Sequence, residues 1–306
     1  MSLPPGPLFR PYSAYLASRY GAKTYRISVD AGFSCPNRGK DRREGGCTFC
    51  ASTGSAAPYT AQEAEETEGG EASLFASLKR QITQGAAFLK KRYKAENFLL
   101  YFQAYSGTHA PAEKLKKLYD YALGLEDFRE LIVSTRPDCI DAGKARLIAE
   151  YKTPHRDVWV ELGLQTAQEK TLRRIRRGHG RAEFEKAFFL LREKGIKITV
   201  HLIFGLPGEN EEDIISTLNY TAALKPDGLK IHNLHILSGT PLYEEFLAGE
   251  ITLPAAERHR AYILRAFEIF PRETIFMRFT CDSPASLLAF PRKFPPKAEF
   301  LPLRKG

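Results

Sequence analysis

"TYRISVDAGFSCPNRGKDRREGGCTFC", residues 24–50, runs from a strand-like alternation straight into a loop holding three of the chain's five cysteines. Eleven residues separate Cys35 from Cys47, and two separate Cys47 from Cys50. Two thiols make a redox pair and four close a structural zinc site; three leave a metal centre one ligand short. Thiolate sulfur is a soft donor that suits zinc, copper(I) or iron–sulfur clusters. A four-iron cluster bound by three cysteines keeps one iron open for a substrate or cofactor. Zinc stays open on spacing alone, with His109 and then Cys139 as the nearest remote fourth ligands.

Outward from this loop the chain alternates strands and helices. Strand patterns fall at 24–30, 97–105, 131–138, 157–166, 196–209 and 228–237. Helical spacing fills 73–93, 110–123, 142–152, 181–195 and 210–224 between them, and 256–270 after them. Near-continuous apolar strands joined by helices predict a parallel sheet covered on both faces, either doubly wound or a whole or partial barrel. In such folds ligands sit at the C-terminal strand ends. The unusual residues fall there: the cysteine loop, "QAYSGTH", "STRPDC", "LGLQT", "FGLPGE" and "HILSGTPL".

The 306 residues, 43% hydrophobic, are ample for a buried core in one large or two modest domains. No run of eighteen apolar residues is present, so no membrane span is expected. Prolines occupy the N-terminus where a signal peptide needs an apolar stretch. Odd, clustered cysteines argue against a disulfide framework and for a cytoplasmic protein. The net charge of +9 fits a polyanionic partner such as RNA, and equally a plain basic protein.

Cys35, Cys47 and Cys50, with Phe49 before the last, resemble the cluster loop of radical S-adenosylmethionine (SAM) enzymes, in the wider spacing of the branch containing the Elongator catalytic subunit. "GFSCPNR…GGCTFC" is closer still to the YhcC/YtqA-like family. "STRPDCID" (134–141), "ELGLQT" (161–166), "RRGH" (176–179), "HLIFGLPGE" (201–209), "HNLHILSGTPL" (232–242) and "RFTCDSPASLLAFP" (278–291) extend the resemblance in order, although Cys281 departs from an expected Gly. It spans roughly residues 10 to 291.

The resemblance implies an α/β fold: a partial TIM-type (β/α)6 barrel over 21–240, an N-terminal extension over 1–20, and a C-terminal helix with an irregular extension over 241–306. It implies a [4Fe-4S] cluster on Cys35, Cys47 and Cys50. It also implies SAM on the open iron, an electron donor such as flavodoxin or ferredoxin, and reductive cleavage to a 5′-deoxyadenosyl radical. Gln103, Tyr105 and Ser106 stand where the family contacts the SAM amino group, or are a packed strand end. Gln165 corresponds to a ribose contact and Arg177 to a carboxylate clamp, whose planar fork suits that task. Arg173 and Arg174 read instead as solvated or RNA-facing. Glu161 lies on the same strand face as Gln165 and needs a buried partner, either SAM or an internal ion pair. His201 is a ribose contact or a core histidine, and the "GLPGE" backbone faces adenine. Cys139 reads as a strand-end residue rather than a cluster ligand, Cys281 as a small buried one. His232 and His235 turn toward the pocket, with Tyr243 near them.

The expected activity is radical SAM chemistry in the modification of the tRNA wobble-uridine side chain, with tRNA docking on the barrel mouth and C-terminal extension. The alternatives are a small-molecule or protein substrate, or a non-catalytic, zinc-stabilised nucleic-acid-binding protein. The charged loop at Arg38, Lys40, Arg42 and Arg43 is either a solvent loop or a lip that meets RNA.

Overall fold

The computed structural model describes residues 8–38, 45–51, 54 and 70–295. Lys40, Arg42, Arg43 and the last residues of the tail lie outside that set. The six expected strands are present as β2 (Thr24–Val29), β3 (Asn97–Phe102), β4 (Phe128–Thr135), β5 (Asp157–Gln165), β6 (Lys197–Phe204) and β7 (Gly228–Asn233). They pair parallel and in sequence order.

Two short strands that the sequence did not announce extend the sheet. β9 (Ile275–Arg278) pairs with β7, and β1 (Arg10–Pro11) pairs with β9. The main sheet therefore has eight strands, in the order β1-β9-β7-β6-β5-β4-β3-β2. A separate antiparallel pair joins β8 (Ile236–Leu237) to β10 (Leu288–Phe290).

Alternation along the strands builds two interiors, because successive side chains take opposite faces. Phe98, Leu100 and Phe102 of β3, with Val158, Val160 and Leu162 of β5, join the large cluster beneath the helices. Those helices are α2 (Gly70–Tyr93), α3 (Ala112–Leu123), α4 (Ala142–Glu150), α6 (Arg181–Glu193) and α7 (Glu211–Ala223). Each connects consecutive strands, as parallel pairing requires. Their starts are written in the sequence: Asp141 accepts from Lys144 N at 2.8 Å, and Asn210 and Asp213 cap α7 reciprocally.

The opposite face holds Leu99, Tyr101, Ile132 and Trp159. It is concave, because strands far apart in the order touch across it. Tyr101 of β3 lies 3.0 Å from Lys230 of β7, and Arg26 of β2 lies 3.6 Å from Met277 Sδ of β9. The sheet is thus a curled half-barrel.

Helix α1 (Tyr12–Tyr20) closes its N-terminal end. The Tyr12, Tyr15 and Tyr20 hydroxyls all donate to the buried Glu130 carboxylate near the start of β4. Arg19 and Lys197 hold Asp157 at the start of β5. Helix α1 thus covers that end of the sheet, and the C-terminal strand ends form the opposite end.

Candidate active site

Every unusual loop is gathered at that end. The cysteine loop leaves β2 through Asp30, whose backbone N–H donates to Gln81 Oε1 of α2 at 2.8 Å and whose carbonyl accepts from Gln81 Nε2 at 3.0 Å. Cys35 and Cys47 each open a tight turn, with Arg38 N and Cys50 N donating back to their carbonyls. The Arg38 guanidinium ties the two halves by donating to Cys50 O and Ala51 O at 2.7 and 2.6 Å. A Cβ on Gly46 would meet that guanidinium at 2.9 Å, and Gly46 sits at φ +102°, so glycine is needed there. Phe49 packs into an apolar cluster with Ile175, Ile203, Leu206, Leu234 and Leu242. Thr48 bonds Ile175 O with its N–H and accepts from Leu242 N, pinning the loop between the "RRGH" turn and helix α8 (Pro241–Leu247).

Cys35, Cys47 and Cys50 are free thiols, with Cys47 buried and the others half-buried. Cys47 Sγ receives Asn37 Nδ2 and Arg177 Nη1, each at 3.6 Å. Arg136 feels the charge of Cys35 and Cys47. Burial pushes the Cys50 thiol up, and Arg38 works against it. Among the described residues no three His, Cys, Asp or Glu side chains are grouped to hold a metal ion. A four-iron cluster is a larger body and asks for donors spread around it. Three soft donors on one loop, with N–H donors and buried cations beside them, fit such a cluster.

The other strand ends meet this loop. Gln103 follows β3, and its N–H lies 3.4 Å from Val29 O. Ser106 is fully buried, and its hydroxyl is engaged by Thr135 Oγ1 at 2.9 Å and by Arg136 N at 3.2 Å. It shapes the strand end from behind. Gln165 ends β5 in the left-handed region, at φ +76°. Tyr105 and Arg176, on neighbouring loops, share that strained backbone. Such strain in non-glycine residues collects at functional sites.

Arg177 is buried; its Nη2 donates to Gly163 O at 2.9 Å, and its Nε has no partner among the described residues. A Cβ on Gly163 would meet Arg177 Nη2 at 2.7 Å and Gln165 Nε2 at 2.8 Å, so that glycine is the seat on which both side chains rest.

Glu161 sits at the centre of an internal ion-pair network. Its Oε1 receives Arg26 Nη1 at 2.8 Å. Its Oε2 receives Tyr101 OH, Lys230 Nζ and His201 Nε2 at 2.5, 2.7 and 2.9 Å. Burial alone would push this carboxyl up; Lys230, Arg26 and His201 outweigh it and hold it well below the usual carboxylate range. Burial and the Lys230 charge push His201 down to about 4, so its ring is neutral near pH 7. With Nε2 donating to Glu161, Nδ1 is left as an acceptor.

His232 lies beside His201, with ring centroids 5.7 Å apart, whereas His235 is tied to Ser283 Oγ at 2.8 Å. Tyr243 belongs to the apolar cluster around Phe49. Cys139 is buried against His109 Nδ1 at 3.9 Å, and burial pushes its thiol up to about 11. Cys281 is held by Asn233, its Sγ 3.1 Å from Asn233 O.

Sequence reading missed Asn37, Arg26, Tyr101, Lys230 and Arg136. Arg26 and Lys230 did leave a signal, each being a charge inside an otherwise strand-like run.

Comparison with known proteins identifies the family. The Radical SAM superfamily matches residues 41–221, beginning just past Cys35, and the Radical_SAM C-terminal domain matches 226–304. The chain is 36% identical to Protein YhcC of Escherichia coli (strain K12) over 279 residues, covering 90% of this chain and 84% of that one. It is 30% identical to the tRNA uridine(34) acetyltransferase of Methanocaldococcus jannaschii over 161 residues, 52% of this chain and 29% of the other. The archaeal Methanocaldococcus infernus Elp3 structure shares the fold at TM-score 0.60 and 21% identity, covering 70% of this chain. The chain spans about half (54%) of that structure's length. Enzymes of this superfamily use a [4Fe-4S] cluster and SAM, which is what the three-cysteine loop beside a buried arginine is suited to hold, and the chain belongs to the radical SAM superfamily, in its YhcC/YtqA-like family.

Proposed function

We propose that this radical SAM enzyme modifies tRNA at the side chain of the wobble uridine. The observation that carries the reading is the 161-residue similarity to an enzyme named for uridine 34 of tRNA. The charge layout supports it. Arg173 and Arg176 are exposed, and Arg176 O accepts from Asn37 of the cysteine loop at 2.9 Å. Exposed arginines at the site are what a phosphate backbone would contact. Arg174 is taken up instead by a bidentate pair with Glu245.

Cys35, Cys47 and Cys50 would hold the cluster. Arg177, Gln165, Gln103 and His201 would line the SAM side of the cavity, with Ser106 and Glu161 supporting them from behind. When bound, the cluster and SAM supply the radical that removes a hydrogen atom from the substrate. The protein's own part is to orient and to exclude water. Phe49 and its apolar neighbours keep one wall of the loop dry, and the neutral His201 presents an acceptor rather than a charge. Among the described residues no helix is long and apolar enough to cross a membrane. We take the enzyme to be cytoplasmic, served by a small electron donor such as flavodoxin or ferredoxin.

The test is nucleoside mass spectrometry of tRNA from a strain lacking this gene. Loss or change of a wobble-uridine derivative supports the proposal. An unchanged profile turns it toward a small-molecule or protein substrate.

A further inference from the structure

Two side-chain N–H groups converge on the sulfur of Cys47. Asn37 Nδ2 and Arg177 Nη1 both reach it at 3.6 Å, within range for N–H···S donation. Neither donor is free to drift. Asn37 Nδ2 also donates to Arg176 O and Arg177 O at 2.9 and 2.8 Å, so its two hydrogens serve three acceptors. Its Oδ1 fills the place a Cβ on Gly178 would take, 2.3 Å away, and Gly178 lies at φ +77°. Its carbonyl accepts from Gly46 N at 2.6 Å and lies 2.6 Å from where a Cβ on Gly45 would stand. Three glycines, two in the cysteine loop and one in the "RRGH" turn, are thus shaped around one asparagine. Arg177 is fixed in turn by its bond to Gly163 O.

The charges are distributed unevenly. Arg136 is neutralised by a two-bond pair with Asp138, at 2.8 and 2.7 Å. Arg177 makes no ion pair among the described residues and turns its Nη1 to sulfur. A guanidinium N–H to a thiolate is a charge-assisted bond. Reduction adds one negative charge to a cluster, so donors on its sulfurs favour the reduced form.

We propose that Asn37 and Arg177 are positioning residues that grip the Cys47 thiolate from two sides and raise the reduction potential of the cluster it holds. Asn37 also couples the cysteine loop to the "RRGH" turn, so the cluster and the cation next to it move as one unit.

The test uses the full chain, reconstituted anaerobically with iron and sulfide, and reads iron content and an EPR-monitored redox titration rather than turnover. Asn37→Ala removes one donor, Asn37→Asp removes it and adds a negative charge, and Arg177→Gln removes the cation while keeping an amide. Each variant is expected to retain about four irons per chain. At a fixed applied potential the ratio of reduced to oxidised cluster should fall, by about tenfold for Asn37→Asp and Arg177→Gln and less for Asn37→Ala. Circular dichroism of the iron-free variants identifies any that do not fold. Where a folded Asn37 variant cannot retain iron, the potential is read on Arg177→Gln, and that variant alone decides the inference. Iron-loaded variants with the wild-type potential overturn the inference. It rests on the cluster reading above, and the two fail differently: a wild-type chain that takes up no iron ends both.

Discussion

Lys230 Nζ lies 2.7 Å from Glu161 Oε2 inside the curled sheet, with both side chains almost wholly shielded from water. The other carboxylate oxygen is taken by Arg26. Two cations thus converge on one anion from β2 and β7, strands well apart in the sheet order. Removing the anion leaves both cations buried without their partner. Glu161→Ala is expected to cost about 3–5 kcal/mol in urea denaturation. Glu161→Leu with Lys230→Met should cost less than the two single changes summed, because the pair is removed together. Additive losses would show that the pair is not coupled.

Glu209, in the "GLPGE" turn, accepts from Thr166 Oγ1 at 2.5 Å. Burial pushes its carboxyl up to about 7. The folded chain therefore keeps a proton that the unfolded chain releases near the ordinary glutamate value. Stability from this group is fully present below that ordinary value and is lost as pH rises through about 7. Glu209→Gln should flatten this part of the pH–stability curve and be relatively more stable at pH 8 than at pH 5. Parallel wild-type and variant curves over that range would contradict the assignment.

Gly163→Ala places a methyl 2.7 Å from Arg177 Nη2 and 2.8 Å from Gln165 Nε2. Both side chains must move. If they line the SAM cavity, the dissociation constant for SAM should rise by about tenfold or more, the loss expected for one misplaced charged hydrogen bond. Equilibrium binding by calorimetry on the reconstituted protein reads this directly. An unchanged constant would remove both residues from the SAM site.

Arg173→Glu and Arg176→Glu should each weaken tRNA binding and reduce the slope of log affinity against log salt by about one where a phosphate contact is lost. Arg92→Glu, at the end of α2 and so near the opposite end of the half-barrel, should leave that slope unchanged. A filter-binding series across salt concentrations checks both. Equal effects at all three positions would mean non-specific attraction to a basic protein.

The barrel core was legible because each of its strands carries its own signal: apolar alternation, then a helix, then an unusual residue at the C-terminal end. β9 was not, because Ile275–Arg278 is four residues within a tail rich in Pro and Phe, and only pairing with β7 makes it a strand. α1 follows Pro11 and mixes tyrosines with polar residues, and its helical role emerges only with the Glu130 contacts. The three cysteines stood out as candidate ligands because they cluster in sequence. Asn37 was hidden in the same loop, since its importance lies in Arg177 and Gly178, far along the chain. Glu161 stood out as a buried carboxylate, but its partners depend on how far the sheet curls. Local sequence does not encode that distance.

The central claim is that Cys35, Cys47 and Cys50, and no other cysteine, hold a four-iron cluster. Iron analysis of anaerobically reconstituted single variants tests it most directly. Wild type and Cys139→Ala should each carry about four irons per chain, and Cys35→Ala, Cys47→Ala and Cys50→Ala should each lose the cluster. Full iron in any of those three, or its loss in Cys139→Ala, would contradict the account.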